Sequence, residues 1–485
     1  MRYSVLVYIT KMIQTLLEAA QYLRAEPEDG LRAELLDNGR QMLSQIREVL
    51  AGHGEYLRSN APLERLAEIE PLWETGGEEL EARLERFAQE LPEQVSYQVR
   101  AVFFAELGEK WDAMESVYEY MRDDPRFDPV VVRTPVGRVV ERDGKREQEI
   151  IYKDFLPPLG IPSLGYDQYD IEEDCPELAF ISQPYESCTL EQFWPENIAK
   201  HTRLVYLPYF LPFLILEEHK QTLCQLPVYR YAWKVLGASD RHFRFYSRYA
   251  SNNGGNMLVT GLPKLDPIVK LRDQKIIPPK SWLTAVKGRK VFLWNTWYDY
   301  QCSSLTYFEM VIKWFQSHED CALIWRPHPM TDTVTKLYYP RETYAEFQRY
   351  IKMVKGLPNA VYDEEPSCNA AFSCSAAQVS DYSSLMGQYL PLDKPLLWVK
   401  NDRHAGMYDR SEGNYFIDPD WMEEATQADD IFQFLERIRN GVDEKAAIRK
   451  KVLQENIPLT DGHCGARACE MLLSAMCNED FGATI

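Results

Sequence analysis

The sequence predicts an α/β chain: two parallel, doubly wound domains facing across a cleft, preceded by a helical module. Three observations predict it. From about residue 98 to 400, short apolar runs alternate with amphipathic segments, the order expected of a parallel sheet wrapped by helices. A proline-bearing stretch, Asp266-Pro267 and then Ile277-Pro278-Pro279-Lys280, divides that region into parts of similar size. The first 95 residues are instead rich in Leu, Glu, Arg, Ala and Gln, with apolar positions at helical spacing.

In the first region those positions are Leu16, Leu17, Ala20 and Leu23, then Leu35, Leu36, Met42, Ile46 and Leu50, then Leu80, Leu84 and Phe87. Pro27, Gly52, Gly54, Pro62 and Gly76-Gly77 punctuate them. Residues 1–95 therefore read as a bundle or hairpin array of helices, a packing or dimerisation module separable from catalysis and the natural route to a homo-oligomer. The many glutamates on these helices weigh against a membrane-surface anchor.

In the second region, residues 98–104 read as a buried strand, 105–110 as a loop with one glycine, 111–121 as a helix and 129–132 as a strand. That is a βαβ unit of about 30 residues. Runs at 178–181, 203–207 and 256–260 add strands. In the third region strands are expected at 290–294, 322–325, 360–362, 376–379 and 395–399, with a turn at Asn295-Thr296 and helices at 305–316 and 343–355. Residues 431–477 read as helices covering the third region. The boundaries are 1–95, 96–275 and 285–430, with 431–485 packing on the cleft domains.

Composition narrows the function. The 485 residues are 45% hydrophobic and carry a net charge of −20, which disfavours nucleic acid as a partner and disorder as a state. The ten cysteines are scattered without a Cys-x-x-Cys pair, as in a reduced, cytoplasmic protein without a zinc site. The apolar run near the start is too short to span a bilayer. The run at 204–216 is short, holds Pro208 and Pro212, and ends in Glu217-Glu218. No Gly-x-Gly-x-x-Gly supports a dinucleotide cofactor, and Asp123-Asp124 lies against Pro125 in a turn, a poor metal site. The expectation is no cofactor and no metal.

Two places carry chemistry. Ala322-Leu323-Ile324-Trp325 runs directly into Arg326-Pro327-His328-Pro329, and Ala376-Ala377-Gln378-Val379 runs into Ser380-Asp381-Tyr382-Ser383-Ser384 before a helical pattern begins. Open α/β sheets bind ligands just past the carboxyl ends of their strands, and helix N-termini suit phosphate. Paired hydroxyls with a cation and a histidine nearby point to a phosphate-bearing ligand. Ser383 and Ser384 read as phosphate donors or as helix caps, and Arg326 as a bidentate phosphate ligand or a surface ion pair. Asn295 and Thr296 reach the ligand from the far side, or simply turn the chain.

The Arg-Pro-His-Pro and Ser-Asp-Tyr-Ser-Ser runs resemble the motifs of the CDP-glycerol glycerophosphotransferases, which build polyol-phosphate chains of teichoic acids. Lys394-Pro395, Gly261-Leu262-Pro263-Lys264-Leu265-Asp266 and the strand running into Trp297 resemble further family features. The resemblance covers roughly residues 98–400. It implies a GT-B fold with the donor in the C-terminal domain, a CDP-activated polyol as donor and a polyol or glycan hydroxyl as acceptor. It also implies cell-wall polymer synthesis, peripheral at the inner face of the cell membrane. It makes His328 the catalytic residue, acting on the departing CMP phosphate or orienting the transferred group. Asp381 would take polyol or ribose hydroxyls or orient His328. The family's Trp-His-Gly-Thr, whose histidine is a candidate base for the acceptor, has no counterpart around residues 204–212. Two other readings stay open: a GT-B nucleotide-sugar glycosyltransferase, and a non-catalytic nucleotide or polyol-phosphate binding protein.

Overall fold

A computed structural model describes residues 1–25, 28–106, 108–142, 144–152, 160–211, 217–274, 276–400 and 416–482. Residues 212–216, part of the apolar run noted above, fall outside that set.

The apolar run after Gln98 becomes β1 (Val99–Ala105), buried along nearly its whole length. Burial on both faces is what makes a parallel central strand read as a continuous apolar run. Phe103 and Ala105 face one core with Met114, Val117 and, from a neighbouring strand, Phe180. Val102 and Phe104 face another core with Ile181 and Tyr206.

The remaining strands of the first half are β2 (Phe127–Arg133), β3 (Val136–Arg142), β4 (Lys145–Tyr152), β5 (Ser163–Gly165), β6 (Leu178–Ile181), β7 (Arg203–Tyr206), β8 (Lys234–Gly237) and β9 (Met257–Val259). With β1, all but the antiparallel hairpin of β3 and β4 form a seven-stranded parallel sheet in the order β5-β2-β1-β6-β7-β8-β9. The second half contributes β10 (Lys290–Thr296), β11 (Cys321–Pro327), β12 (Ala360–Tyr362), β13 (Ala377–Ser380), β14 (Leu396–Val399) and β15 (Glu423–Ala425). They form a parallel sheet in the order β12-β11-β10-β13-β14-β15. The chain thus consists of two Rossmann-like domains of a GT-B-like fold and an N-terminal helical module. Strand order reverses between β1 and β6 in one sheet and between β10 and β13 in the other. Those are the switch points at which such sheets bind ligands.

Three sequence expectations are corrected. Asn295 and Thr296 do not turn the chain: they continue β10 in register with Arg326 and Pro327. The helix expected over 111–121 is two pieces, Gly108–Trp111 and Glu115–Asp123, separated by a turn. The C-terminal helices do not all cover the third region. Ala428–Arg439 packs on the second sheet through Ile431, Phe434 and Leu435, but Cys464–Phe481 returns to the first sheet through Ala468, Leu472 and Met476. The N-terminal helices, for their part, are joined to the first domain at the start of the first helix.

That last point rests on the start of the first helix, Tyr3–Arg24. The Tyr3 ring is fully buried in the core of the first sheet, and its hydroxyl donates to Asp480 at 2.9 Å. The Arg2 guanidinium donates to the carbonyls of Asp174 and Cys175 and to Glu177. The rest of the module, helices Asp29–Gly52, Ala61–Trp73 and Glu78–Gln94, has its own core around Leu43, Ile46, Leu66, Trp73, Leu84 and Phe87.

The return of the last helix explains the Gly-x-Pro-x-x-Asp run. Asp266 is buried, and its carboxylate accepts the N–H groups of Cys464 at 3.0 Å and Gly465 at 2.8 Å, capping that helix. Gly261 has φ +77, and a Cβ there would stand 2.5 Å from the Cys464 sulfur.

Among the described residues no helix is long and apolar enough to cross a membrane.

Candidate active site

The switch point of the second sheet is closed by Asp381, just past β13. Its Oδ1 accepts the N–H of Trp297, just past β10, at 2.7 Å and the N–H of Tyr382 at 2.8 Å. Its Oδ2 accepts the N–H and hydroxyl of Ser304 at 2.6 and 3.0 Å. Burial pushes the carboxyl up to about 6, against the pull of these donors. Through both oxygens Asp381 thus ties Trp297, Tyr382 and Ser304 together at the strand ends.

What joins the two motifs is aromatic. The Trp297 ring meets Tyr382 edge-on at 4.5 Å and lies 6.0 Å from His328, and Tyr298 lies 5.4 Å from His328. The two halves of the candidate site, far apart in sequence, therefore share one aromatic floor. The His328 Nδ1 accepts the N–H of Met330 at 3.2 Å. Burial lowers the imidazole to about 4, so at neutral pH its proton sits on Nε2, making that atom a donor. The His328 backbone is fixed as well, donating to the Thr296 carbonyl.

Arg326 is an ion-pair residue here. Its guanidinium donates to the buried Asp363 at 2.8 Å and to the carbonyls of Pro366 and Ser367. It thereby pins the loop after β12. An open cavity of about 450 Å³ beside it is lined by His328, Asp332, Lys355, Tyr362 and Glu364 among others. Asn295 and Thr296 are buried. Asn295 donates to the Arg326 carbonyl at 3.2 Å and accepts from Gln378 at 2.6 Å, and the Thr296 hydroxyl accepts from Trp325. Both serve the sheet. Ser383 is half-buried and its hydroxyl accepts the N–H of Leu385, while Ser384 is exposed. Lys394 donates to the carbonyls of Phe372 and Ser373, at the end of the helix Asn369–Cys374.

The first domain faces this site with charged and phenolic groups. Asp112 pairs with Lys264 at 3.8 Å. Burial raises its carboxyl, and the charges of Lys264 and of Arg326 from the other domain oppose that rise. The Tyr382 phenol is pushed up by burial and by Tyr185 of the first domain and Tyr298. After β7 the chain reads Leu207-Pro208-Tyr209-Phe210-Leu211, without a histidine. The sequence reading missed Trp297 as a site residue and missed Tyr298, Asp363 and Tyr185. Their only signal was adjacency to strand ends, which does not say which face of the cleft a side chain takes. Among the described residues no group of three or more His, Cys, Asp or Glu could hold a metal ion.

The family described as CDP-Glycerol:Poly(glycerophosphate) glycerophosphotransferase matches residues 217–474. A comparison with curated proteins finds no match. Among solved structures, the chain is similar to the wall teichoic acid polymerase TagF at 12% identity and a TM-score of 0.52, covering 87% of this chain and 99% of that one. A variant of TagF soaked with CDPG is similar at 12% identity, a TM-score of 0.51 and the same coverage. A UDP-N-acetylglucosamine 2-epimerase aligns at 13% identity and a TM-score of 0.49, over 78% of this chain and 95% of that one.

Proposed function

Since the chain belongs to the CDP-glycerol:poly(glycerophosphate) glycerophosphotransferase family, we propose that it moves a polyol phosphate, glycerol phosphate foremost, from a CDP-activated donor to an acceptor hydroxyl. The observation that carries this reading is the aromatic floor of Trp297 and Tyr298, which brings His328 and the Asp-Tyr-Ser-Ser run to one place.

In this reading the acceptor oxygen attacks the phosphorus bearing the polyol. The bond from that phosphorus to the bridging oxygen breaks, and CMP leaves with the electron pair. The protein's work in such a transfer is positioning and charge stabilisation. The Nε2–H of neutral His328 donates to the departing phosphate as charge develops there. The Ser383 and Ser384 hydroxyls hold phosphate oxygens. Arg326, held by Asp363, contributes positive charge beside the diphosphate, while Asn295, Thr296 and Asp381 keep the strand ends in place. The acceptor is a growing polyol-phosphate or glycan chain of the cell wall, met by a peripheral enzyme at the inner face of the cell membrane.

The absence of a histidine from residues 207–211, directly after β7, favours a second reading, a protein that binds the donor without turning it over. Incubation with CDP-glycerol, CDP-ribitol and several nucleotide sugars separates the readings by product. Phosphotransfer releases CMP, sugar transfer releases a nucleoside diphosphate, and a binding protein releases neither while still showing affinity by calorimetry.

A further inference from the structure

Glu106 lies at the switch point of the first sheet, immediately after β1, and is only 4% exposed. Its Oε2 accepts from Lys110 Nζ and from Gln183 Nε2, the latter at 2.9 Å. Gln183 lies just past β6, so this bond spans the reversal of strand order. The other oxygen, Oε1, is buried and has no hydrogen-bond partner among the described residues. Buried polar atoms are nearly always paired, and a bare carboxylate oxygen is costly. A glutamate kept only for its ion pair with Lys110 has no need of such a cost.

The surroundings say what the bare oxygen is for. Lys110 Nζ lies 5.3 Å from the centre of the Tyr209 ring, on the segment after β7. The Tyr185 N–H donates to the side-chain oxygen of the same Gln183 at 3.3 Å, and the Tyr209 phenol is raised by burial and by Tyr185, Cys188 and Glu106. Tyr185 also contributes to raising the Tyr382 phenol of the second domain, and the Tyr382 ring packs on Trp297, 6.0 Å from His328. Phenols therefore stand near Glu106 in the first domain and beside His328 in the second. Phenol rings with polar tips suit the alternating carbon faces and hydroxyls of a polyol or sugar.

We propose that Glu106 is the general base for the acceptor, a polyol or glycan hydroxyl seated between Tyr185 and Tyr209, with Lys110 and Gln183 holding the carboxylate in place. The acceptor's proton passes to Oε1. Its oxygen forms the new bond to the phosphorus of the donor, and CMP departs on the His328 side with the electrons of the broken bond. Burial raises the Glu106 carboxyl, with Lys110 and Gln183 opposing, which brings it closer to the basicity such a role needs. The position is two strands from the segment after β7, so this base is a different residue in a different place from the histidine the resemblance leads one to expect.

The inference rests on the transferase reading, and one set of measurements keeps the two apart. Full-length wild type, Glu106→Gln and Glu106→Ala are given CDP-glycerol and a short oligo(glycerol phosphate) acceptor, with CMP release, donor affinity by calorimetry and circular dichroism recorded. Glu106→Gln keeps the shape and a hydrogen-bonding group. It is expected to lower kcat by ~10²–10⁴-fold with donor affinity and fold unchanged, and added formate is expected to restore part of the turnover of Glu106→Ala. A folded Glu106→Gln with near-normal kcat overturns the inference alone. So does a loss of kcat accompanied by lost donor affinity and no rescue by formate, which marks a structural role. A wild type that turns over no donor removes the transferase reading and this base with it.

Discussion

The carboxylate of Asp381 accepts the backbone N–H of Trp297 at 2.7 Å, tying the ends of β13 and β10 together at the switch point of the second sheet. The same carboxylate holds Ser304, so one side chain fixes the loop whose aromatic rings flank His328. Asp381→Ala leaves the Trp297 and Ser304 N–H groups without this acceptor. Each unsatisfied buried donor costs about 1–3 kcal/mol. We expect a lower midpoint of thermal unfolding together with weaker CDP-glycerol binding, both measured on the full chain. Unchanged donor affinity in a destabilised Asp381→Ala would separate the aromatic floor from the site.

His328 is expected to stay neutral through the physiological range. Its folded value, about 4, lies below the ~6.5 of an unfolded histidine. Its contribution to stability is therefore full above pH ~6.5 and is lost as pH falls towards 4. The buried His242, also lowered to about 4, acts in the same direction. An imidazole NMR titration should show the His328 resonance unmoved between pH 7.5 and roughly 5. A midpoint near 6.5 would contradict the half-buried, Nε2-protonated ring. His328→Ala should fold and lose turnover by ~10²–10⁴-fold, with less effect on donor affinity.

At the domain junction, Gly261→Ala meets two obstacles. The φ of +77 strains any L side chain, and the new methyl would lie 2.8 Å from the Leu459 carbonyl as well as against Cys464. The expected cost is more than about 1 kcal/mol. Limited proteolysis should release the last helix, Cys464–Phe481, faster than in the wild type. An equal rate of cleavage would show that this junction does not hold the helix in place.

A chain starting at residue 96 loses Arg2 and Tyr3 and so opens the first domain. Asp480 keeps its pairing with Arg203 at 2.7 Å but loses the Tyr3 hydroxyl. The edge contacts of Tyr3 with Tyr97 and Phe481 also go. The truncated protein is expected to aggregate or to melt well below the full chain. A soluble, monodisperse truncation with an unchanged melting midpoint would restore the view of residues 1–95 as a separable module.

The central parallel strands were legible because burial on both faces writes them as unbroken apolar runs, as at Ala322-Leu323-Ile324-Trp325, whereas the edge strands β5 and β15 were not. The hairpin of β3 and β4 was not, since Arg138, Glu141, Arg146 and Glu149 break up its apolar residues with charge. β8 was missed because Val235 and Leu236 are too short a run to stand out beside aromatic neighbours. Asn295 and Thr296 looked like a turn from residue type alone, yet pairing with Arg326 and Pro327 carries β10 through them. Roles were harder than places. The strand-to-motif transitions located His328 and Ser383, but what occupies Arg326 is Asp363, 37 positions away. Gln183, 77 positions from Glu106, and the returning helix beside Asp266 are likewise tertiary facts that no local pattern encodes.

The most direct measurement of the central claim is the nucleotide released when the full-length protein is incubated with CDP-glycerol, with and without a glycerol-phosphate oligomer as acceptor. Acceptor-dependent release of CMP is expected, matched by one new phosphodiester in the acceptor for each CMP formed. Donor bound with measurable affinity but no CMP released, or release of CDP in place of CMP, would contradict it.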